Sequence, residues 1–174
     1  ILSGLVGSEM CIRDRVVHVR TLDNDADLDV APMPALASGF VCRPGHPLLK
    51  GARPSLPQVL AYPVMSTGLS PEIARRVAAA RPDGFALHRE SEDIACLLDI
   101  AAQSDAVFLG VLASAAAQIA DGALARVPPP ADFDIAAHFA FVTLRGRSES
   151  PATRIAREIC FDQIGLAAGE LPPS

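Results

Sequence analysis

The sequence predicts an α/β fold with a largely parallel central sheet. Strand-like runs alternate with helix-like segments along the chain, which is the pattern of parallel strands joined by helical crossovers. The run AVFLG (106–110) carries no charge, as expected of a strand covered on both faces. Ser-Pro pairs at 70–71 and 150–151 each supply a capping hydroxyl and then proline at the first helical position.

Taken in order, VVHVR (16–20) reads as a short strand by its β-branched alternation, and TLDNDADLDVAPMPALAS (21–38) as mostly loop. GFVC is strand-like and ends in the turn signal Arg43-Pro44-Gly45. SLPQVLA (55–61) is a short helix capped by Ser55, and YPVMST (62–67) is a compact buried strand. The Ser70-Pro71-Glu72 start opens a helix to about Ala80, which stops before Arg81-Pro82-Asp83-Gly84. FALHRE (85–90) is a strand, and Ser91-Glu92-Asp93 opens a helix to about Gln103. After AVFLG, LASAAAQIADG (112–122) is a helix closed by Gly122. LARVPPP leads out through a stiff proline run to the strand HFAFVTLRG (138–146). Ser150-Pro151 begins a last helix to about Ile164, followed by a frayed tail.

The 174 residues are half hydrophobic with an ordinary charged fraction, a soluble globular composition. A net charge of -5 and a single lysine, Lys50, argue against nucleic-acid binding by this polypeptide itself, because phosphate contacts need clustered cations. Cys11, Cys42, Cys96 and Cys160 are widely spaced, without a CxxC or Cys/His cluster, so metal ligation is not expected. Three of them lie in apolar runs and are expected to be buried, reduced thiols. No cofactor motif is present, neither a G-x-G-x-x-G nor a P-loop. No apolar run approaches the roughly 20 residues that span a bilayer, and the amino terminus lacks the order of a secretory signal.

Residues 5–15, LVGSEMCIRDR, look like a reading-frame translation of the transposase adapter used in sequencing libraries. On that reading residues 1–15 are non-native, the native frame begins near Val16, and Met10 and Cys11 carry no biology.

The ordered series F-V-C-R-P-G-H-P-L, S-L-P-Q-V-L-A-Y-P-V-M, S-P-E, E-S-E-D-I, S-D-A-V-F-L-G-V-L, D-G-A-L-A-R-V and L-R-G-R-x-x-S-P-A resembles the effector-binding domain of LysR-type transcriptional regulators over roughly residues 36–164. Their order and spacing carry the likeness; no single motif does. The resemblance implies a fold like that of the type 2 periplasmic binding proteins, with two lobes, a hinge and a small-molecule cleft. It assigns 16–43 and 128–164 to a first lobe, 44–127 to the second and 165–174 to a tail, with crossings near Cys42–His46 and Leu124–Pro130. It also implies that the first lobe is incomplete, that DNA is met only through a helix-turn-helix not in this chain, and that the intact cytoplasmic regulator is a homo-oligomer. An incomplete lobe would leave this chain unstable or prone to aggregate.

In such folds, loops at the carboxyl ends of strands and the amino termini of helices face the ligand. Ser66, Thr67, Gly68 and Ser70 follow one strand, where hydroxyls and backbone N–H groups suit a small anion; they could equally make only the turn and the cap. Family analogy adds Gly110 and Val111 as a loop after the next strand, with Gly110 allowing close approach to the backbone. Phe108 is read as core. Arg43, at the first crossing, could pair with an anionic effector or simply lie at the surface. His46, fixed between Gly45 and Pro47, is read as a local hydrogen-bonding residue.

Enzyme readings are weaker. Gly68-Leu69-Ser70-Pro71-Glu72 lacks the last glycine of a nucleophile elbow and has proline after the serine. Cys42 and His46 have no base geometry, and Glu90, Glu92 and Asp93 are a helix-start acid cluster favoured by the dipole. The reading is therefore a non-enzymatic ligand sensor, with a transporter's solute-binding protein of the same fold as the alternative.

Overall fold

A computed structural model of the chain describes residues 15–18, 27–80, 89–131, 133, 135–146 and 149–170. It divides into two compact units, residues 1–35 with 138–166 and residues 36–137 with 167–174. The divisions fall after Ala35 and after Ala137, so the strand through Cys42 and the proline run both lie inside the second unit.

The first unit is built on a three-stranded antiparallel sheet. Strand β9 (Phe139–Leu144) lies in the middle, between β1 (Arg15–His18) and β2 (Leu28–Pro32). The β2 segment was expected to be loop, and it is a strand in register with β9 from Leu28↔Leu144 to Pro32↔Ala140. It hides from a sequence reading because it is an edge strand with weak alternation and a terminal proline, both tolerated at an edge. Arg145 closes that end of the pair, donating its backbone N–H to the Asp27 carbonyl at 2.8 Å and its Nε to Asp29 at 3.1 Å. The last helix, α5, runs Pro151–Glu170, past the expected stop near Ile164 and into the segment taken for a frayed tail, of which residues 171–174 lie outside the described residues.

The second unit carries a six-stranded mixed sheet, ordered β5-β4-β6-β3-β7 with β8 also on β3. Its strands are β3 (Leu36–Cys42), β4 (Val64–Ser66), β5 (Arg89–Glu90), β6 (Val107–Val111), β7 (Ala125–Arg126) and β8 (Ile135–Ala137). Strands β4, β5 and β6 are mutually parallel, as the alternation predicts, but β3 runs antiparallel to β6, β7 and β8. The largely parallel sheet is thus corrected to a mixed one. A helix between two strands does not by itself fix their direction. Strand β3 is followed by the short helix Leu56–Val59 and then β4, yet its sheet neighbour is the distant β6, to which it runs antiparallel while β4 runs parallel. The short β7 and β8 also escape a sequence reading, since two or three residues give no periodicity. Residues 85–88 of the expected FALHRE strand lie outside the described residues.

Helices cover both faces of this sheet. Alternate side chains of β3, β4 and β6, namely Phe40, Cys42, Val64, Val107 and Leu109, pack on one side with Val59, Leu60 and Val77. The latter belong to, or follow, helices α1 (Leu56–Val59) and α2 (Pro71–Ala80). Val41, Met65 and Phe108 point to the other face, against Leu97, Leu98 and Ala101 of α3 (Ile94–Gln103). That face is completed by Leu112 and Ala115, in a 3-10 turn before the short α4 (Ala116–Ala120). The uncharged AVFLG run is buried on both faces because each face has its own helix layer.

The caps follow the sequence. Ser55 donates its N–H to Gln58 Oε1 at 2.8 Å, Ser70 Oγ accepts from Ile73 N–H, and the Asp93 carboxylate accepts from Cys96 N–H at 3.0 Å. The thiols depart from expectation. Cys42 is buried, but Cys96 is exposed on the outer face of α3 and Cys160 is half-buried on α5. An apolar run in a helix covering a sheet still has an outer side, and Cys96 falls on it.

Candidate functional site

The parallel strands β4, β5 and β6 end at one edge of the second unit's sheet. Their registers, Ser66↔Glu90 and Met65↔Phe108, bring the residues after each strand side by side. Ser66, Thr67, Gly68 and Ser70 leave β4 there, Ser91 leaves β5, and Gly110 with Val111 form the end of β6. Strand β3 enters the same edge, with Ser38 opposite Val111 and Gly39 opposite Gly110.

Within this cluster the polar groups divide into inward and outward sets. Ser66 is only 2 % exposed; its hydroxyl donates to the Gly68 carbonyl at 3.3 Å, and its carbonyl accepts from Ser91 N–H at 3.4 Å. Ser70 accepts the Ile73 N–H through Oγ and the Ala74 N–H through its carbonyl, so it caps α2. Thr67 and Gly68 are exposed, and Gly68 takes φ 117°, a conformation L side chains rarely adopt. The outward-facing polar surface at this edge is therefore the Thr67 side chain and the Gly68 backbone, on a turn held from beneath by Ser66.

Gly110 and Val111 were expected in a loop and are strand residues. A Cβ at Gly110 would stand 2.5 Å from the Phe108 ring, which lies across it from two residues back on the same strand. The glycine makes room for a core aromatic, and Phe108 is core as expected, 2 % exposed.

Arg43 is not brought to this edge. It follows the far end of β3, five residues beyond Ser38, about 17 Å away at strand rise. There its Nε and Nη2 donate to Asp105 Oδ1 at 3.0 and 2.7 Å, and its Nη1 to the Pro44 carbonyl at 3.2 Å. Asp105 lies in the turn before β6, so the ion pair ties the end of β3 to the start of β6, at one end of their antiparallel ladder. With the side chains 34 % and 56 % exposed, the pair is worth only about 0.2–1 kcal/mol.

His46 does the structural work at the same corner. It is fully buried, with Nδ1 accepting the Leu48 N–H at 3.1 Å and Nε2 3.3 Å from the Asp105 carbonyl. Accepting at Nδ1 puts the ring proton on Nε2, facing that carbonyl. Tyr62 meets the imidazole edge-on with centroids 4.5 Å apart. Burial pushes the neighbouring Cys42 thiol up to about 11, the positive Arg43 offsetting part of the rise.

Ser91 and Ser38 are the members of the edge that sequence reading missed. Ser91 carried a usable signal, since it follows a strand by the logic applied to Ser66, but it was absorbed into the helix start. Ser38 carried none, because its segment read as loop and its strand runs against the others. Among the described residues no group of His, Cys, Asp and Glu could hold a metal ion, and no helix is long and apolar enough to cross a membrane.

The chain has relatives of known kind. It is 30% identical over 151 residues to the SDS degradation transcriptional activation protein of a Pseudomonas species, a match covering 85% of this chain and 49% of that protein. The chain thus spans about half the length of this curated relative. Among solved structures it resembles the regulatory domain of MetR, a LysR family regulator from N. meningitidis, with TM-score 0.67 and 12% identity over 90% of this chain and 71% of that one. It also resembles the Synechocystis CcmR regulatory domain, solved in complex with 2-PG, with TM-score 0.62 and 14% identity over 87% of this chain and 73% of the other. These likenesses give the fold, which is the type 2 periplasmic-binding-protein kind that the sequence implied. The family profile described as the LysR substrate binding domain matches residues 13–164, and the chain belongs to that family.

Proposed function

We propose that this chain is the effector-sensing part of a cytoplasmic LysR-type transcription regulator, and that a small anionic molecule binds where β4, β5 and β6 end. The observation that carries the reading is the alignment of three parallel strand ends, which gathers Thr67, Gly68, Ser91 and the Gly110-Val111 strand end on one edge. Hydroxyl and backbone N–H groups there can surround a carboxylate without a metal or a cationic side chain. The activator role of the Pseudomonas relative and the small-molecule complex of the CcmR domain support the same reading.

In the intact regulator, DNA would be contacted through a helix-turn-helix outside this chain, within a homo-oligomer. Effector binding would act by favouring one arrangement of that assembly over another. Arg43 is left out of the proposed site because its guanidinium serves Asp105 at the other end of β3.

Thermal-shift screening of small carboxylates, aromatic acids and alkyl sulfates tests the reading. A ligand at 100 times its Kd stabilises by about 2.7 kcal/mol, which in a domain of this size raises Tm by about 5–10 °C. Thr67→Val is expected to weaken that ligand about tenfold while leaving the unliganded Tm in place, since Thr67 is exposed. Absence of any stabilising anion, or a hit indifferent to Thr67→Val, would remove the support for this edge as the site.

A further inference from the structure

The turn that leaves β4 carries backbone donors that the fold does not use. Thr67, Gly68 and Leu69 lie between the end of β4 and the cap of α2, and among the described residues no acceptor takes their N–H groups. Ser70 accepts the Ile73 N–H through Oγ and the Ala74 N–H through its carbonyl, so capping α2 leaves those three untouched.

Ser66 decides where one of them points. Its side chain is buried, and its hydroxyl donates to the Gly68 carbonyl at 3.3 Å. The Gly68–Leu69 peptide is trans, and in a trans peptide the C=O and N–H point in opposite directions. With the carbonyl drawn in toward Ser66, the Leu69 N–H is aimed away from the buried strand. Gly68 permits this course of the chain with φ 117°. The Leu69 side chain packs against the core cluster that contains Val64 and Val77, which anchors the residue carrying the donor. A donor fixed before the ligand arrives needs little reordering on binding, and its bond to a carboxylate is about twice as strong as one to a neutral acceptor.

We propose that the Leu69 N–H is a principal donor to the anion at the strand-end edge, and that Ser66 is its positioning residue, acting through the Gly68 carbonyl without touching the ligand. This rests on the anion-site reading given above.

The probe is acetate, the smallest probe of carboxylate binding used, titrated at constant ionic strength into the 15N,13C-labelled full chain, with acetamide as the neutral control. The Leu69 amide proton is expected to show a saturable downfield shift larger than its neighbours', and acetamide to bind more weakly. Ser66→Thr and Ser66→Val have nearly the same shape and differ in the hydroxyl, so comparing them separates the bond from packing. Ser66→Thr is expected to bind acetate as the parent does. Ser66→Val and Ser66→Ala are expected to raise Kd about tenfold and to move the Gly68 carbonyl 13C resonance of the free chain. Should these variants fail to fold, the response of Leu69 in the parent decides alone. If no shift at residues 66–70 saturates, the anion reading of this edge falls, and this proposal with it. If acetate binds there and Thr67→Val weakens it, but Leu69 does not respond or Ser66→Val binds as tightly as Ser66→Thr, the edge stands and the role of Ser66 and Leu69 alone is overturned.

Discussion

His46 illustrates how a residue that invites a chemical role can be tested as a structural one. Replacing it by alanine strips the buried Leu48 N–H of its acceptor, a cost of about 1–3 kcal/mol. The edge-on contact with Tyr62 goes as well, worth about 0.5–1.5 kcal/mol. The space left by a fully buried ring adds a cavity cost that partial collapse reduces. Together these place His46→Ala at about 3–5 kcal/mol, a large part of the about 5–15 kcal/mol that stabilises a typical domain. His46→Asn separates the contributions, because its Oδ1 can take the position of Nδ1 and keep the Leu48 bond. It is expected to cost about 1–2 kcal/mol. Urea denaturation followed by circular dichroism reads both, as shifts in midpoint at unchanged slope. If His46→Ala cost less than about 1 kcal/mol, or His46→Asn cost as much as alanine, the imidazole would not be holding the turn as described.

Two further predictions concern the core. Gly110→Ala would drive a methyl into the Phe108 ring at 2.5 Å, whereas a Cβ at the facing Gly39 meets Leu112 only at 3.4 Å. Gly110→Ala is therefore expected to destabilise by about 1–3 kcal/mol, with Phe108→Leu in the same chain recovering part of the loss; a neutral result in urea would refute the close approach. Burial raises the Cys42 thiol from 9.0 to about 11, so between those values the unfolded thiol ionises while the folded one keeps its proton. Stability therefore falls as pH rises through that window, by up to about 2–3 kcal/mol, and Cys42→Ala is expected to lack this part of the fall. Maleimide labelling read by mass spectrometry gives the companion test, with exposed Cys96 modified in the native chain and Cys42 only on unfolding.

The exposed residues of α5 bear on the expected tendency to aggregate. Ile155, Ile159 and Leu166 are 55 %, 55 % and 60 % exposed, more than any other large hydrophobic side chain among the described residues. They lie on one side of the helix, spaced to share a face. Such a stripe favours association of chains in solution.

The sequence by itself determined the features that local chemistry controls. The serine caps at 55 and 70, the proline starts at 71 and 151, the helix start within Ser91–Asp93, the doubly covered AVFLG strand and the ordered family motifs were all legible. These depend on residues within a few positions of one another, so the chain states them directly. Tertiary structure alone decided the rest: the strand at Leu28–Pro32, the antiparallel course of β3, and the separation of Arg43 from the strand-end edge. Each of these rests on a partner distant in the sequence: β9 for β2, β6 for β3, Asp105 for Arg43. A strand's direction and a cation's choice of anion are settled by what folds beside them, and nothing in the neighbouring residues records it.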